Sequence, residues 1–215
     1  MSLSDGLELL VTVLAIWVVL YGIDSWRREH IGKRKMELAE DSLALFYEAE
    51  DAIKHIRHPA SWGGEQLELE RGDRETDAQF DARKKASVVF YRYNQYQELF
   101  GKLRASRFRF MAQIGKEEAA PFDDFNRLVN EIVLSARRLS SLWWQDHFRT
   151  EAQRQQHQER VDRYEAIFWD NLGEDDPINP RFEAIIANIE CTCNKVIDGK
   201  DTLYGIINFH LWGSR

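Results

Sequence analysis

The 215-residue sequence has few of the residues on which small disulfide-rich or loop-rich folds depend. It holds two cysteines, Cys191 and Cys193, a number that a reducing compartment allows and that argues against a disulfide scaffold. It holds four prolines, and three of them, Pro121, Pro177 and Pro180, stand where helices would start or stop. A chain with so few helix breakers is predicted to be almost entirely α-helical.

No lysine or arginine precedes residue 27, whereas a cleaved secretory signal begins with a basic region. The first residues carry Asp5 and Glu8 instead, and no small-residue cleavage site follows the apolar run. That run, Leu7–Trp26, spans about 30 Å as a helix, which is the thickness of a hydrocarbon core. The sequence therefore predicts a transmembrane anchor, with a buried core helix or a signal sequence as the alternatives.

The residues around the end of this run predict its orientation. Aromatic rings favour the membrane interface, and Lys and Arg stay on the cytoplasmic side. The N-terminus is therefore predicted to lie outside, with residues 27–215 in the cytoplasm. A basic segment at this position would also attract anionic headgroups, by about 1 kcal/mol per basic residue. The residues that carry this prediction are Trp17, Tyr21, Trp26, Arg27, Arg28, Lys33, Arg34 and Lys35.

Three segments follow: a tail and anchor at 1–26, a basic juxtamembrane segment at 27–35, and one cytoplasmic helical bundle at 36–215. Of the 29 Lys and Arg residues, five lie within residues 1–35, and of the 36 Asp and Glu residues, four do. The bundle therefore carries a net charge of −8. This is the wrong sign for a general nucleic-acid binder, so nucleic acid is disfavoured as a partner.

Apolar residues at helical spacing predict an antiparallel bundle of long helices after the anchor. The first soluble helix covers Lys33–Arg57 and ends at the His58-Pro59 pair, and a long exposed loop follows at 59–76. The second, Asp77–Ile114, has apolar positions alternating three and four apart, as in a coiled coil, and stops before Gly115.

A third helix begins near Pro121 and is predicted to form a hairpin with the second. The polar run at 150–160 is interpreted as a solvated continuation of it, before an apolar face returns at Val161. A last helix fits Pro180–Ile197, and the apolar tail at 201–215 is expected to pack back on the bundle.

The hairpin also predicts which residues approach the membrane. Folding about residue 118 places Arg107 opposite Val129, where an arginine needs a carboxylate or a phosphate. Because the second helix is longer than the first, its C-terminal end is expected to return to the bilayer, with an overhang at the far end as the alternative. The predicted membrane-proximal contacts are Arg104, Arg107, Phe108, Arg109 and Phe110. The same register sets Ile114 against Phe122, Phe100 against Ala136 and Tyr93 against Trp143.

Two segments, "LALFYEAEDAIKHIRHP" and "ELFGKLRASRFRFMAQIGKEEAAPFDDFNRLVNEI", cover residues 43–59 and 98–132. The amino-acid sequences of these two segments resemble a family of uncharacterised bacterial membrane-anchored helical proteins that have no assigned activity. The resemblance covers roughly the middle half of the chain. It implies a bacterial inner-membrane setting and carries over no functional residue.

Four polar residues on the first soluble helix, Glu48, Asp51, His55 and His58, fall within about 80° of one another and are of the types that bind metals. The apolar stripe of the helix lies on the opposite side, so a solvated face is favoured and no metal or cofactor is predicted. On a helix, Cys191 and Cys193 diverge by about 200°. Cys193 continues an apolar stripe, which predicts a core residue and not half of a metal or redox pair.

No catalytic residue is predicted. The sequence lacks a phosphate-binding glycine loop, G-x-S-x-G, H-E-x-x-H and the Arg-to-His spacing of helical HEPN ribonucleases. The basic and aromatic stretch Lys102–Phe110 scatters its charges around the helix, which favours ordinary ion pairs over nucleic-acid binding. We therefore expect an interaction or regulatory module that contacts membrane lipids and a protein partner or a second copy. An enzyme with an unrecognised polar site and a membrane-tethered nucleic-acid binder are the alternatives.

Overall fold

A computed structural model of the chain describes residues 3–61, 64–65, 68–170 and 176–198, with side chains from residue 10 onward. The described residues form helices and no strand, which confirms the all-α prediction. The tail at 201–215 lies outside them, so its predicted packing stays a prediction. The helices are α1 Leu3–Arg57, α2 Asp77–Gln95, α3 Gln97–Gln113, α4 Ala120–Leu142, α5 Glu151–Phe168 and α6 Asn179–Ile197.

The first helix, α1, combines the predicted anchor and the first soluble helix in one element. It runs for 55 residues without a proline, about 80 Å at the usual rise, and ends at Arg57 as the His58-Pro59 pair predicts. Within it, residues 10–34 are exposed along their whole length, whereas burial begins at Leu38. In the described chain, α1 is the helix long and apolar enough to cross a membrane.

The core lies around the C-terminal half of α1. This half packs against α3 and α6, while α4 packs against α2, α5 and α6. The Phe46 ring of α1 meets Phe122 and Phe125 of α4 at centroid distances of 4.9 and 5.9 Å, and Phe125 meets Phe182 of α6 at 5.9 Å. Edge-on aromatic contacts of this kind join α1, α4 and α6 into one core.

Two predicted helices are interrupted. The helix expected over 77–114 breaks at Tyr96, whose φ of −104° and ψ of 12° leave the helical region, and this separates α2 from α3. The polar run at 150–160 does not continue α4. Instead α4 ends at Leu142, and Thr150 starts α5 by accepting a hydrogen bond from the Gln153 amide. A side-chain cap at Thr150 favours a new helix start there.

The predicted hairpin register is wrong, although the hairpin itself is present. Arg107 pairs with Asp123, six residues before the expected Val129. The Phe110 ring lies 5.2 Å from Phe122, and the Lys85 ammonium lies 4.0 Å from the Trp143 ring, where Tyr93 had been expected. The pairs Arg107–Asp123 and Phe110–Phe122 are centred on residues 115 and 116, so the chain reverses two to three residues earlier than a fold about residue 118 requires.

Arg57, the last residue of α1, is fully buried and joins three helix ends. Its guanidinium donates to the backbone carbonyls of Ala166, Ile167 and Trp169 at 3.0, 2.9 and 2.7 Å, which closes the C-terminus of α5. It also pairs with the Asp176 carboxylate at 2.7 Å. That carboxylate in turn accepts the Ile178 amide at 2.8 Å, at the start of α6.

Arg92 of α2 is 1% exposed and closes the C-terminus of α1 in the same way. It donates to the carbonyls of His55, His58 and Ala60 at 3.1, 2.6 and 2.7 Å. Its charge is met by Glu65, which thereby fixes one point of the 59–76 loop. Both arginines supply donors to carbonyls in the last turn of a helix or just beyond it, where the intrahelical pattern of hydrogen bonds ends.

We predict that Arg57→Ala lowers the free energy of unfolding by about 3–5 kcal/mol, because it leaves the buried Asp176 carboxylate without its positive partner and the α5 carbonyls without their donor. The measurement is denaturant unfolding of the full-length protein in detergent, followed by far-UV circular dichroism. Arg181→Ala is the matched control, since Arg181 pairs with Glu131 at 2.8 Å in a half-exposed setting and is expected to cost about 1 kcal/mol or less. Equal losses in the two variants would contradict the role of Arg57.

Candidate functional site

The predicted anchor residues lie on an uncovered part of α1. Trp17, Tyr21 and Trp26 are 59–66% exposed, and the Trp17 ring stacks on Tyr21 at 5.6 Å. The Arg28 guanidinium pairs with Asp24 at 2.7 Å on the helix surface. Arg27, Lys33 and Arg34 are also exposed, and Lys35, where the bundle begins to cover α1, is half-buried. No other described part of the chain covers this apolar segment.

The third helix, α3, runs antiparallel to α1. The hydroxyls of Ser42 and Ser106 lie 2.9 Å apart, and near the other end the Tyr96 hydroxyl lies 2.9 Å from His55 Nδ1. The C-terminal end of α3 therefore lies beside the part of α1 that follows the basic segment. The expected direction of the predicted second helix, back toward the anchor, is confirmed.

Three of the five predicted membrane-proximal residues, Arg104, Phe108 and Arg109, are exposed. The other two are not free for lipid. Phe110 is 0% exposed in the core, which corrects its assignment as a lipid contact. Arg107 finds its carboxylate in Asp123: Nη2 donates to Oδ2 at 2.8 Å, while Nε lies 2.8 Å from Oδ1 without hydrogen-bond alignment.

The distance along α1 also separates the three exposed residues from the predicted interface. Ser42, which marks the level of Ser106, lies 16 residues beyond Trp26, about 24 Å along the helix. Headgroup layers are about 5–7 Å thick on each side, and a typical helix tilt of about 20° lowers the outer face of α3 by only a few Å. The α3–α4 connection at 114–119 lies closer to the anchor.

The four polar residues considered for metal binding do not form a cluster. Glu48, Asp51 and His58 are exposed, as the solvated-face interpretation predicts. His55 is half-buried, and its Nδ1 is hydrogen-bonded to the Tyr96 hydroxyl. Its Nε2 lies 3.8 Å from a carboxylate oxygen of Glu65. Within the described ranges, no group of three or more His, Cys, Asp and Glu side chains has metal-binding geometry.

The basic stretch 102–110 is partly neutralised, in line with the ion-pair interpretation. Lys102 pairs with Glu98 at 2.8 Å, and Arg107 pairs with Asp123. Arg104 and Arg109 form no ion pair with any residue that the structure describes. These two cations are therefore available to a ligand or a partner.

A cleft of about 200 Å³ lies where α2 meets α3, against α4. It forms beside the Tyr96 break, and sequence analysis missed it because a regular stripe predicts a closed seam between the helices. The available signal was the pair Asn126 and Asn130, which are polar, one turn apart, and adjacent to the apolar stripe of α4. The lining residues are Tyr93, Phe100, Arg104, Phe125, Asn126, Val129 and Asn130.

Cys193 is 0% exposed, which confirms its prediction as a core residue, whereas Cys191 is exposed. Burial disfavours the charged thiolate and raises the pKa of Cys193 from 9.0 to about 12. A thiol held protonated in this way is a poor nucleophile and metal ligand. The two cysteines therefore do not act as a pair.

No protein-family model, no curated protein and no solved structure matches this chain. What the chain does must therefore be inferred from its own residues and contacts.

We predict that iodoacetamide at about pH 8 alkylates Cys191 in the folded full-length protein and leaves Cys193 unmodified, because only the thiolate reacts and burial suppresses it. Mass spectrometry of the digested protein gives the two occupancies, and denatured protein labelled at both sites is the control. Because the folded-state pKa is raised, the neutral thiol supports stability below about pH 9, and this support is lost as the pH rises toward about 12. Labelling of Cys193 at the rate of Cys191 would contradict its burial.

Proposed function

We propose that this chain is a single-pass protein of the bacterial inner membrane, with its N-terminus outside and a cytoplasmic helical bundle that acts as an interaction or regulatory module. The observation that carries the proposal is the continuity of α1, whose uncovered apolar half leads without a break into the half that forms the core of the bundle. A rigid helix of this kind holds the bundle at a fixed distance from the bilayer and in a fixed orientation.

Orientation follows from charge. The exposed cations after Trp26 favour the cytoplasmic side and anionic headgroups, and residues 1–26 themselves hold no Lys or Arg. The uncovered side chains of residues 10–26 need lipid around them, because an apolar helix surface of this length is unfavourable in water. Membrane lipids are thus the first partner of the proposal.

A protein partner, or a second copy of the chain, is proposed for the exposed face of α3. Phe108 is 65% exposed, more than any other large apolar side chain described after residue 35, and it lies one turn after Arg104 and next to Arg109. Aromatic and arginine side chains dominate the energetics of protein interfaces. The face points away from the core of the bundle and lies well above the proposed membrane surface, so a protein can reach it.

The topology is tested by fusions after Arg215. We expect a fluorescent protein fused there to be fluorescent in living bacteria, and alkaline phosphatase, which needs the periplasm to fold, to be inactive. Fusions of the same reporters to a protein of known opposite orientation provide the control. An active phosphatase would overturn the orientation.

The partner surface is tested by placing a photo-crosslinking amino acid at Phe108 in the full-length protein in living bacteria. We expect a discrete crosslinked species of higher mass, either with one other protein or with a second copy. Gln155 is the matched control position, because it is exposed on α5, on another part of the bundle. The same products from both positions, or none from Phe108, would exclude the α3 face as the interface.

A further inference from the structure

The exposed side of α3 carries a narrow apolar seam. Its residues follow one another at intervals of four, three and four and lie within about 60° of one another on the helix. They are Gly101, Ala105, Phe108 and Ala112. Phe108 is 65% exposed, the two alanines are exposed, and a side chain added at Gly101 would meet open space. Alternation of three and four is the spacing of positions through which one helix packs along another.

The sizes of the seam residues define the shape of a partner. Phe108 projects from α3, whereas the glycine and the alanines around it leave recesses that large apolar side chains of a second helix can fill, as in knobs-into-holes packing. From Gly101 to Ala112 the seam is about 17 Å long, or three helical turns. A surface of this kind fits one amphipathic helix laid along α3.

Two arginines flank the seam and define the charge of that helix. Arg104 lies about 70° to one side of the centre of the seam, and Arg109 lies about 70° to the other side. Both are exposed, and neither forms an ion pair with any residue in the described ranges. Residues at flanking positions pair with the side chains that flank the seam of the facing helix. Two unpaired guanidinium groups therefore favour carboxylates at those positions of the partner.

The same charges disfavour pairing of α3 with α3 of a second copy. In a parallel pair Arg104 would face Arg109 of the second copy, and in an antiparallel pair each arginine would face its own counterpart. Like charges placed opposite one another select against that partner. Nucleic acid is also a poor fit, because the bundle around these two cations carries a net charge of −8.

We propose that the exposed face of α3 docks an acidic amphipathic helix of another protein, with large apolar side chains in the recesses around Phe108 and carboxylates at Arg104 and Arg109. The inference rests on the proposed partner surface and specifies the chemistry of the partner. Because α3 runs antiparallel to α1, the docked helix lies along the length of the bundle and not across it.

The test uses the full-length protein in detergent, with a fluorescent synthetic peptide of about three heptads as the probe. The peptide has leucine at the seam positions and glutamate at the flanking positions, so that repulsion between glutamates keeps it from pairing with itself. We expect saturable binding by fluorescence anisotropy, above the background of detergent alone, that weakens as salt is added. Peptides with lysine in place of glutamate, or alanine in place of leucine, should bind about tenfold more weakly or worse.

Variants of the protein locate the binding. Phe108→Ala should weaken binding of the glutamate peptide about tenfold or more, because aromatic anchors dominate interface energetics. Arg104→Glu combined with Arg109→Glu should invert the charge preference, so that the lysine peptide binds better than the glutamate peptide. Loss of structure cannot produce such an inversion. Arg160→Glu combined with Arg163→Glu is the matched control, since it changes the net charge equally at exposed, unpaired positions of α5 in the described chain, and it should preserve the wild-type preference.

The other outcomes contradict the proposal. Absence of saturable glutamate-peptide binding, equal binding of the lysine peptide, or an unchanged preference in the charge-inverted variant would overturn the acidic helix as the partner. Mapping the crosslink from Phe108 by mass spectrometry separates this inference from the proposed function. An acidic helix of another protein at the crosslink supports both, whereas a second copy of this chain overturns the inference and leaves the partner surface in place. Absence of any crosslink would overturn both.

Discussion

Two different environments act on one helix, and the rest of the structure depends on this constraint. The first half of α1 exposes apolar side chains that water does not favour, whereas the second half buries Leu38, Phe46 and Ile53 at 0–2% exposure. A helix with no proline, whose interior backbone groups pair along its length, transmits position and rotation from one half to the other. The orientation of the bundle relative to the uncovered half of α1 is therefore set by the packing of α3 and α6, and to a smaller extent α2, on α1.

Packing the other helices around α1 buries backbone carbonyls at the C-terminal ends of α1 and α5, and two arginines donate hydrogen bonds to them. Each α-helix leaves its last four carbonyls without an internal partner, and the ends of α1 and α5 lie inside the bundle, where water cannot replace them. A guanidinium has five N–H donors and a positive charge that suits the C-terminal end of a helix. Arg92 serves α1 and Arg57 serves α5, each with a carboxylate to balance its charge.

The helices and several of their ends were predictable because they depend on local sequence. Apolar periodicity located the bundle, and His58-Pro59 and Gly115 marked helix ends that the structure places at Arg57 and Gln113. The Tyr96 break was not predictable in this way, since no glycine or proline stands there and local propensity favours a continuous helix. The predicted register of the hairpin was wrong because register depends on packing between segments that are distant in sequence, and not on local propensity.

The buried arginines and the cleft were missed for a related physical reason. Arg57 follows Ile53 by four residues and Arg92 follows Val88 by four, so both stand in apolar stripes, but a long arginine in a stripe also fits a side chain that extends to water. Only the positions of the α5 and α1 carbonyls decide between burial and exposure. The Asn126–Asn130 pair was equally ambiguous until the break beside Phe100 opened space in front of it.

The net charge of the bundle determines how it interacts with an anionic surface of the proposed membrane. Residues 36–215 carry a net charge of −8, and Glu117 and Glu118 lie exposed in the α3–α4 connection, the described part of the bundle nearest the anchor. An anionic membrane surface would repel them at short range. The interval from Trp26 to Lys35 is about 13 Å, of which the headgroup layer takes about 5–7 Å, so the connection begins within about one Debye length, about 8 Å, of the headgroups. The exposed cations Arg27, Arg28, Lys33 and Arg34 lie between the two, and their attraction for the headgroups offsets the repulsion of the acidic bundle.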